Sequence, residues 1–262
     1  MRTKRKVFLS LGMCLIVSGT FLIGKGVYMR YKSERIKKDL LSNAEQLNTA
    51  IDSESTSEEY AYAVSDDYED DYSYEPEYLP EYDIGLTGDM KLAPIKDGVR
   101  VLEIPNLSIK APVLEGVDND TLAVSVGHFR KTGAVGEGNF CVAGHSVSPY
   151  ACIFDNLHEV TLDLPVYLTD TDGSKCTYWV TDWFTVMPSE TWVLNDFGDD
   201  RLTMITCDNK GRSRLVIIAL KMTEAEHLDY VRNREINRRL EVKDISYDLA
   251  NIDIGEFIQN LK

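Results

Sequence analysis

A thiol, an imidazole and a guanidinium stand where strand-forming segments end. Cys207 follows residues 202–206, Leu-Thr-Met-Ile-Thr, and Arg214 precedes the apolar run 215–220. Between them, Asp208-Asn209-Lys210-Gly211 has turn chemistry. Two strands joined there and paired antiparallel hold Cys207 and Arg214 at one end of a sheet, on a rigid support. His145 closes another apolar stretch, Asn139-Phe140-Cys141-Val142-Ala143-Gly144. Together these are a nucleophile, a proton carrier and an oxyanion stabiliser. A thiolate is the best protein nucleophile for acyl transfer. An imidazole manages its proton and later protonates a departing amine. A guanidinium stays charged at any working pH and stabilises an oxyanion in a dry site.

Other residues of the same types read more plainly. Cysteine is among the most buried residues, so Cys141, Cys152 and Cys176 are read as packing. Cys207 differs because Thr206 and a polar turn surround it at a strand exit. His128, His158 and His227 are read as structural. Arg212 shares a face with Arg214 by strand alternation but lies in the turn, where water solvates it.

The elements that must position the three groups are mostly short strands. Residues 101–105 and 107–110 read as strands around a Pro-Asn turn, continued by 113–114. Asp118-Asn119-Asp120 offers N-caps for a short helix reaching 122–126. Residues 127–138 read as a glycine-rich loop carrying His128. After the strand that ends at His145, residues 149–160 read as a short helix with Ile153, Phe154 and Leu157 inward. Strands are expected at 166–169 and 176–186, and a loop at 187–200 with a short strand at 191–194. The 202–220 hairpin completes the sheet. The pattern predicts a mostly β fold, a closed or nearly closed barrel with short helices.

The flanks are different in kind. Arg2, Lys4, Arg5 and Lys6 precede an apolar run at 7–24, long enough for a transmembrane helix. No small-residue cleavage site follows it, and Met13 spoils a lipoprotein reading of Cys14, so we read it as an anchor. Basic residues flank both sides, so charge alone leaves its orientation open. Residues 25–51 read as a helical stalk with Leu40, Leu41, Ala44 and Leu47 at helical spacing. Residues 52–99 are an acidic, Tyr-rich linker, and 52–83 contain no Lys or Arg. We read it as a spacer; a lid over the Cys207 groove is the alternative. The folded domain takes residues 100–221. A helical C-terminal appendage takes 222–262, with Thr223 capping a helix over 224–240 and a second acidic segment at 246–261. Leu228, Val231, Ile236 and Leu240 form a partial stripe on it.

Composition removes some functions. The net charge of −15 argues against nucleic acid, which needs a basic surface. The five cysteines show no metal-ligand spacing, so zinc is not expected and no cofactor is assigned. Glu190, Asp196, Asp199 and Asp200 have calcium-type chemistry, but a solvated acidic loop is the preferred reading.

The motifs resemble the sortases, membrane-anchored cysteine transpeptidases of Gram-positive bacteria. Thr203-Met204-Ile205-Thr206-Cys207 is similar to the family's Thr-Leu-X-Thr-Cys, with Met204 in place of Leu. Ser213-Arg214-Leu215-Val216 resembles its Arg strand, and Ala143-Gly144-His145 its His strand end. Residues 102–109 resemble its opening strands, and Val126-Gly127-His128-Phe129 its first loop. The likeness covers about residues 100–221. It implies a sortase barrel in which Cys207, His145 and Arg214 are catalytic and Thr206 serves substrate binding. It implies cleavage of a Leu-Pro-X-Thr-Gly-like sorting signal between Thr and Gly through a thioester. The acyl group would then pass to a peptidoglycan-precursor or pilin amine. It also implies a single-pass membrane protein with residues 1–6 in the cytoplasm and the barrel outside. An anchoring enzyme is favoured, because no Asp-Pro-aromatic lid and no second membrane helix are found. Two rival classes remain. A papain-like peptidase places Cys before His, the reverse of the order here. A non-catalytic surface adaptor would make Cys207 dispensable.

Overall fold

A computed structural model describes the backbone of residues 2–51, 98–146 and 153–250, with some side chains at the helix ends outside that description. The chain divides into two compact units, Met1–Lys221 and Met222–Lys262. The first contains helix α1 (Arg2–Ile51) and eight strands. These are β1 (Arg100–Ile104), β2 (Ile109–Glu115), β3 (Val126–His128), β4 (Asn139–Ala143), β5 (Pro165–Thr169), β6 (Lys175–Val186), β7 (Arg201–Asp208) and β8 (Ser213–Lys221). They close into a barrel in the order β1-β2-β3-β4-β7-β8-β6-β5. Two neighbour pairs are parallel, β2 with β3 and β4 with β7. Closure leaves no open sheet edge.

Strand alternation explains the interior. Phe140 and Val142 of β4, Leu202 and Met204 of β7, and Leu215, Ile217 and Ala219 of β8 fill the barrel. Their neighbours Cys141, Ala143, Ile205, Val216 and Ile218 point outward yet are also covered, by Leu122, Phe129, Val186 and Val193. This wall is therefore buried on both faces, which is why β8 reads as an unbroken apolar run rather than an alternating one.

Several expectations need correction. The 127–138 segment is not all loop. Val126, Gly127 and His128 form β3, buried and paired to β2 and β4. A Cβ on Gly127 would stand 2.2 Å from the Gly116 carbonyl oxygen, so this strand requires a glycine to approach the next segment. The short helix α2 (Asn119–Leu122) stops before 126, capped by Asp118, whose carboxylate accepts from Thr121 N at 2.9 Å. Leu107 belongs to a 3-10 turn, and Ser108 adopts a left-handed conformation rather than extending a strand. Residues 191–194 form a 3-10 turn, not a strand. Of the expected 149–160 helix, residues 147–152 lie outside the described residues; among the described ones Asp155–Glu159 is helical, as one 3-10 turn, and Ile153, Phe154 and Leu157 are buried.

The flanks follow the reading in part. α1 is one helix through both the apolar run and the stalk. Among the described residues no helix is long and apolar enough to cross a membrane. Many side chains of the 7–24 run lie outside the description, as do residues 52–97 of the acidic linker. Met29, Ile36, Leu40 and Ala44 of α1 are buried with Val99, Val101, Leu114, Ala123 and Val124. In the second unit, α3 (Glu224–Ala250) is one helix, where two segments were expected. Thr223 and Glu226 cap it reciprocally, Thr223 N donating to Glu226 Oε2 at 2.8 Å and Glu226 N to Thr223 Oγ1 at 3.3 Å. Its apolar stripe is largely open, Leu228 being 59% and Ile236 48% exposed. Residues 251–262 lie outside the described residues.

His128 is structural, as expected, and it anchors a small ionic network. Its ring stacks on Phe140 with centroids 4.0 Å apart. Its Nδ1 lies 3.0 Å from Glu115 Oε2, and Arg100 Nη1 donates to Glu115 Oε1 at 2.6 Å. Arg100 Nε also donates to Asp170 at 2.9 Å, tying β1, β2 and β3 to the end of β5. Partial burial alone would raise the Glu115 pKa, but His128 and Arg100 outweigh it and hold the carboxyl below the ordinary carboxylate range. Because folding lowers this pKa, the stabilisation is present above the ordinary range and is lost as pH falls through the folded-state value. Glu115→Gln should therefore lower the melting temperature at neutral pH. The gap to the parent should shrink as the pH drops below the carboxylate range, measured by thermal unfolding across pH.

Candidate active site

Register brings the three predicted groups together. β4 and β7 run parallel, with Ala143 opposite Ile205. His145 and Cys207 each lie two residues beyond that pair, so they exit adjacent strands at the same level. β7 and β8 are antiparallel, and Cys207 is directly opposite Arg214. By alternation Ile205 and Cys207 share the outer face of β7, as Arg214 and Val216 share that of β8. His145, Cys207 and Arg214 line one pocket with Leu122, Ala143, Gly144, Ile205 and Thr206.

The surroundings hold these side chains in place. Gly144 N donates to Ile205 O at 3.1 Å, carrying the β4–β7 pairing past the last strand residue. Phe154 N donates to His145 O at 2.9 Å, and Ser146 Oγ to Cys207 O at 2.9 Å. A Cβ on Gly144 would meet the Phe154 ring at 2.7 Å, so the residue before the histidine has to be glycine for the ring to pack there. Thr206, expected at the substrate, is 2% exposed, and its hydroxyl donates to Gly144 O at 2.7 Å. Its side chain thus ties the Cys strand to the His strand. Arg214 is 1% exposed, and its Nη1 donates to Gly211 O at 2.9 Å and Ser213 O at 3.0 Å. Gly211 ends a turn in which Asn209, Lys210 and Gly211 all have positive φ, and Ser213 opens β8. The turn legible in the sequence thus presents one of the two carbonyls that orient the guanidinium. Arg212, the nearest rival, is exposed.

The electrostatics favour neutral partners at rest. Burial pushes the Cys207 thiol pKa up, and the Arg214 charge offsets only part of that. Burial pushes the His145 pKa down. Cys141, fully buried, is pushed up to about 12 and is chemically silent. Cys176 is half-buried, and Cys152 lies outside the described residues. His158 stands away from the pocket, its Nε2 3.6 Å from Asp208 Oδ1. The site can thus offer a nucleophile, a proton relay and a fixed positive charge beside an apolar wall.

Sequence reasoning missed that wall. Ala143, Ile205, Val216 and Ile218 were legible as outward positions once parity is counted. Leu122 was not, because α2 reaches the pocket through tertiary packing. The loop carboxylates expected to be solvated are in local bonds. Glu190 accepts from Met187 N at 2.6 Å, Asp196 from Gly198 N at 2.8 Å, and Asp200 from Gly138 N at 3.0 Å. Asp199 pairs with Arg201. A larger cleft of about 250 Å³ lies at the start of β7, lined by Phe184, Trp192, Phe197 and Arg201, and holds none of the three predicted groups.

Known proteins are similar to this chain in sequence. The family model for the sortase domain matches residues 102–222. The chain is 24% identical to sortase A of Bacillus anthracis over 217 residues, covering 82% of this chain and 94% of that one. It is 28% identical to sortase A of Listeria monocytogenes over 107 residues, covering 41% of this chain and about half of the relative, 48%. Among solved structures, sortase C-1 from Actinomyces oris is 29% identical with a TM-score of 0.45, covering 49% of this chain and 76% of that one. Sortases are known as cysteine transpeptidases, and residues 102–222 of this chain match the sortase domain.

Proposed function

We propose that this chain cleaves a Leu-Pro-X-Thr-Gly-like sorting signal between Thr and Gly and transfers the acyl group to an amine. The observation that carries the reading is the shared exit level of His145 and Cys207 with Arg214 opposite the thiol. The outward apolar wall of Leu122, Ala143, Ile205 and Val216 suits the leucine and proline of such a peptide. Cys207 Sγ attacks the threonine carbonyl carbon, its proton passing to His145. The carbonyl oxygen becomes an oxyanion beside Arg214, which a fixed charge stabilises without reorganisation. The C–N bond breaks, His145 protonates the departing glycine amine, and a thioester remains on Cys207. An amine of a peptidoglycan precursor or a pilin then attacks the thioester, gives its proton to His145 and releases the thiol. Thr206 serves substrate binding by holding the two strand ends together. Thiol, imidazole and guanidinium suffice for each step, so no cofactor is invoked.

The same reading assigns residues 100–221 to catalysis and 7–24 to a single-pass anchor in the cell membrane, with 1–6 cytoplasmic and the barrel outside. Its support is the apolar run preceded by Arg2, Lys4, Arg5 and Lys6, together with the general membrane association of sortases. The acidic 52–99 segment is proposed as a connector, and 222–262 as an appendage outside the catalytic barrel.

Incubation with a sorting-signal peptide and an amine, followed by mass spectrometry, tests the reaction. Cys207→Ala should abolish the thioester adduct and the transfer product while leaving the fold intact; full activity in that variant would end the proposal. Arg214→Lys keeps the charge but loses the planar fork, and should lower kcat/KM about a hundred-fold. The pH profile of kcat/KM should be a broad bell. Its acid limb lies below the ordinary imidazole range because burial lowers the His145 pKa, and its alkaline limb lies above the ordinary thiol range. Iodoacetamide alkylation of Cys207 requires only the thiolate. Its pH midpoint should move higher in Arg214→Ala, because the lowering contribution of the guanidinium is gone.

A further inference from the structure

One buried polar contact connects α1 to the wall of the Cys207 pocket. Met29, Ile36, Leu40 and Ala44 make one apolar stripe of α1, and Ser33 lies within it, fully buried. Ser33 Oγ donates to the carbonyl oxygen of Ala123. Ala123 caps the C-terminus of α2, where helix carbonyls run out of partners. Ala123 and Val124 are themselves sealed under α1. The residue before them, Leu122, points the other way. It packs with Ala143, Ile205 and Val216 and lines the pocket that holds His145, Cys207 and Arg214. Asp118 fixes the other end of α2 through Thr121, its Oδ1 accepting from Thr121 N and its Oδ2 from Thr121 Oγ1 at 2.8 Å. A helix of a single turn, held at both ends, has little freedom left. Its one apolar side chain in the pocket is set by those two holds.

We propose that Ser33 is a positioning residue for the peptide groove: through the Ala123 carbonyl it holds α2 so that Leu122 forms the groove wall beside Cys207. This rests on the reading of that pocket as the sorting-peptide site. α1 is then part of the substrate-binding apparatus. Loss of the Ser33 hydroxyl leaves the Ala123 carbonyl without this donor in a dry interface and loosens α2. Leu122 contacts the peptide and not the sulfur, so the effect falls on binding rather than on chemistry.

The test uses the full chain in detergent micelles with a Leu-Pro-Ala-Thr-Gly peptide and hydroxylamine as acceptor. Ser33→Ala should raise KM about five-fold, the scale of one hydrogen bond, with kcat within about two-fold. The iodoacetamide alkylation rate of Cys207 should not change, since it does not read the peptide groove. Leu122→Ala should raise KM as well, and adding Ser33→Ala to it should cost nothing more, because coupled residues are not additive. Ser42→Ala, on an exposed position of the same helix, should leave both constants unchanged. If Ser33→Ala folds poorly, Ser33→Thr retains the hydroxyl and should restore the parental KM. An unchanged KM in Ser33→Ala, full additivity with Leu122→Ala, or failure of Ser33→Thr to restore binding overturns the proposal. A parent chain that forms no Cys207 adduct with the peptide is a separate result; it overturns the transpeptidase reading, and this inference falls with it.

Discussion

The parallel pairing of β4 with β7 is the constraint on which the site depends. Parallel neighbours keep the same direction, so residues equally far past a matched pair leave the sheet together. Ala143 opposite Ile205 therefore fixes His145 beside Cys207 with no loop between them. A slip of one residue would send every side chain of β7 to the other face. Such a slip would place Cys207 inside the barrel and Thr206 outside. The barrel interior resists it, because Leu202 and Met204 would have to give up their places among Phe140, Val142 and Ile217. The hydroxyl of Thr206 on Gly144 O locks the same register from the polar side. The geometry of the pocket and core packing are thus one specification, written in the parity of two strands.

Charge is placed with the same economy. Among the described groups of the pocket, Arg214 is the one permanent ion, and it lies buried behind the strand end with its Nη1 on the carbonyls of Gly211 and Ser213. A buried guanidinium favours an anion near it, while the apolar wall disfavours one on the thiol. The balance favours a neutral thiol and a neutral imidazole beside a fixed positive charge. Exclusion of solvent from such a pocket strengthens the field of the guanidinium.

Most of the barrel, and the strand-end placement of Cys207, Arg214 and His145, were legible in the sequence, for local reasons. Strand ends, the 208–211 turn and the apolar runs are written within a few residues of Cys207, Arg214 and His145. Signals failed where pairing is distant. β3 is three residues long and carries a glycine and a histidine, so nothing local marks it; its partners on β2 and β4 make it a strand. Thr191–Leu194 has strand-like composition, but Val193 is buried against the outer wall, and a 3-10 turn is what brings it there. Leu40 and Ala44 were visible as a helical stripe, while the surface that receives them was not, because Val99, Val101 and Leu114 come from the far side of the linker. Ser33 gave no signal at all. A buried serine in a helix looks like any exposed one until its acceptor is known.

The raised pKa of Cys207 also governs how long the residue survives. Peroxide attacks thiolates, and thiols held in the neutral form are oxidised to sulfenic acid far more slowly. Reversal of such damage commonly relies on a nearby second cysteine that closes a disulfide. Among the described residues of the pocket there is no such partner, and Cys141, on the neighbouring strand, is buried and protonated. Burial that keeps the Cys207 sulfur protonated therefore acts before such a lesion forms rather than after it.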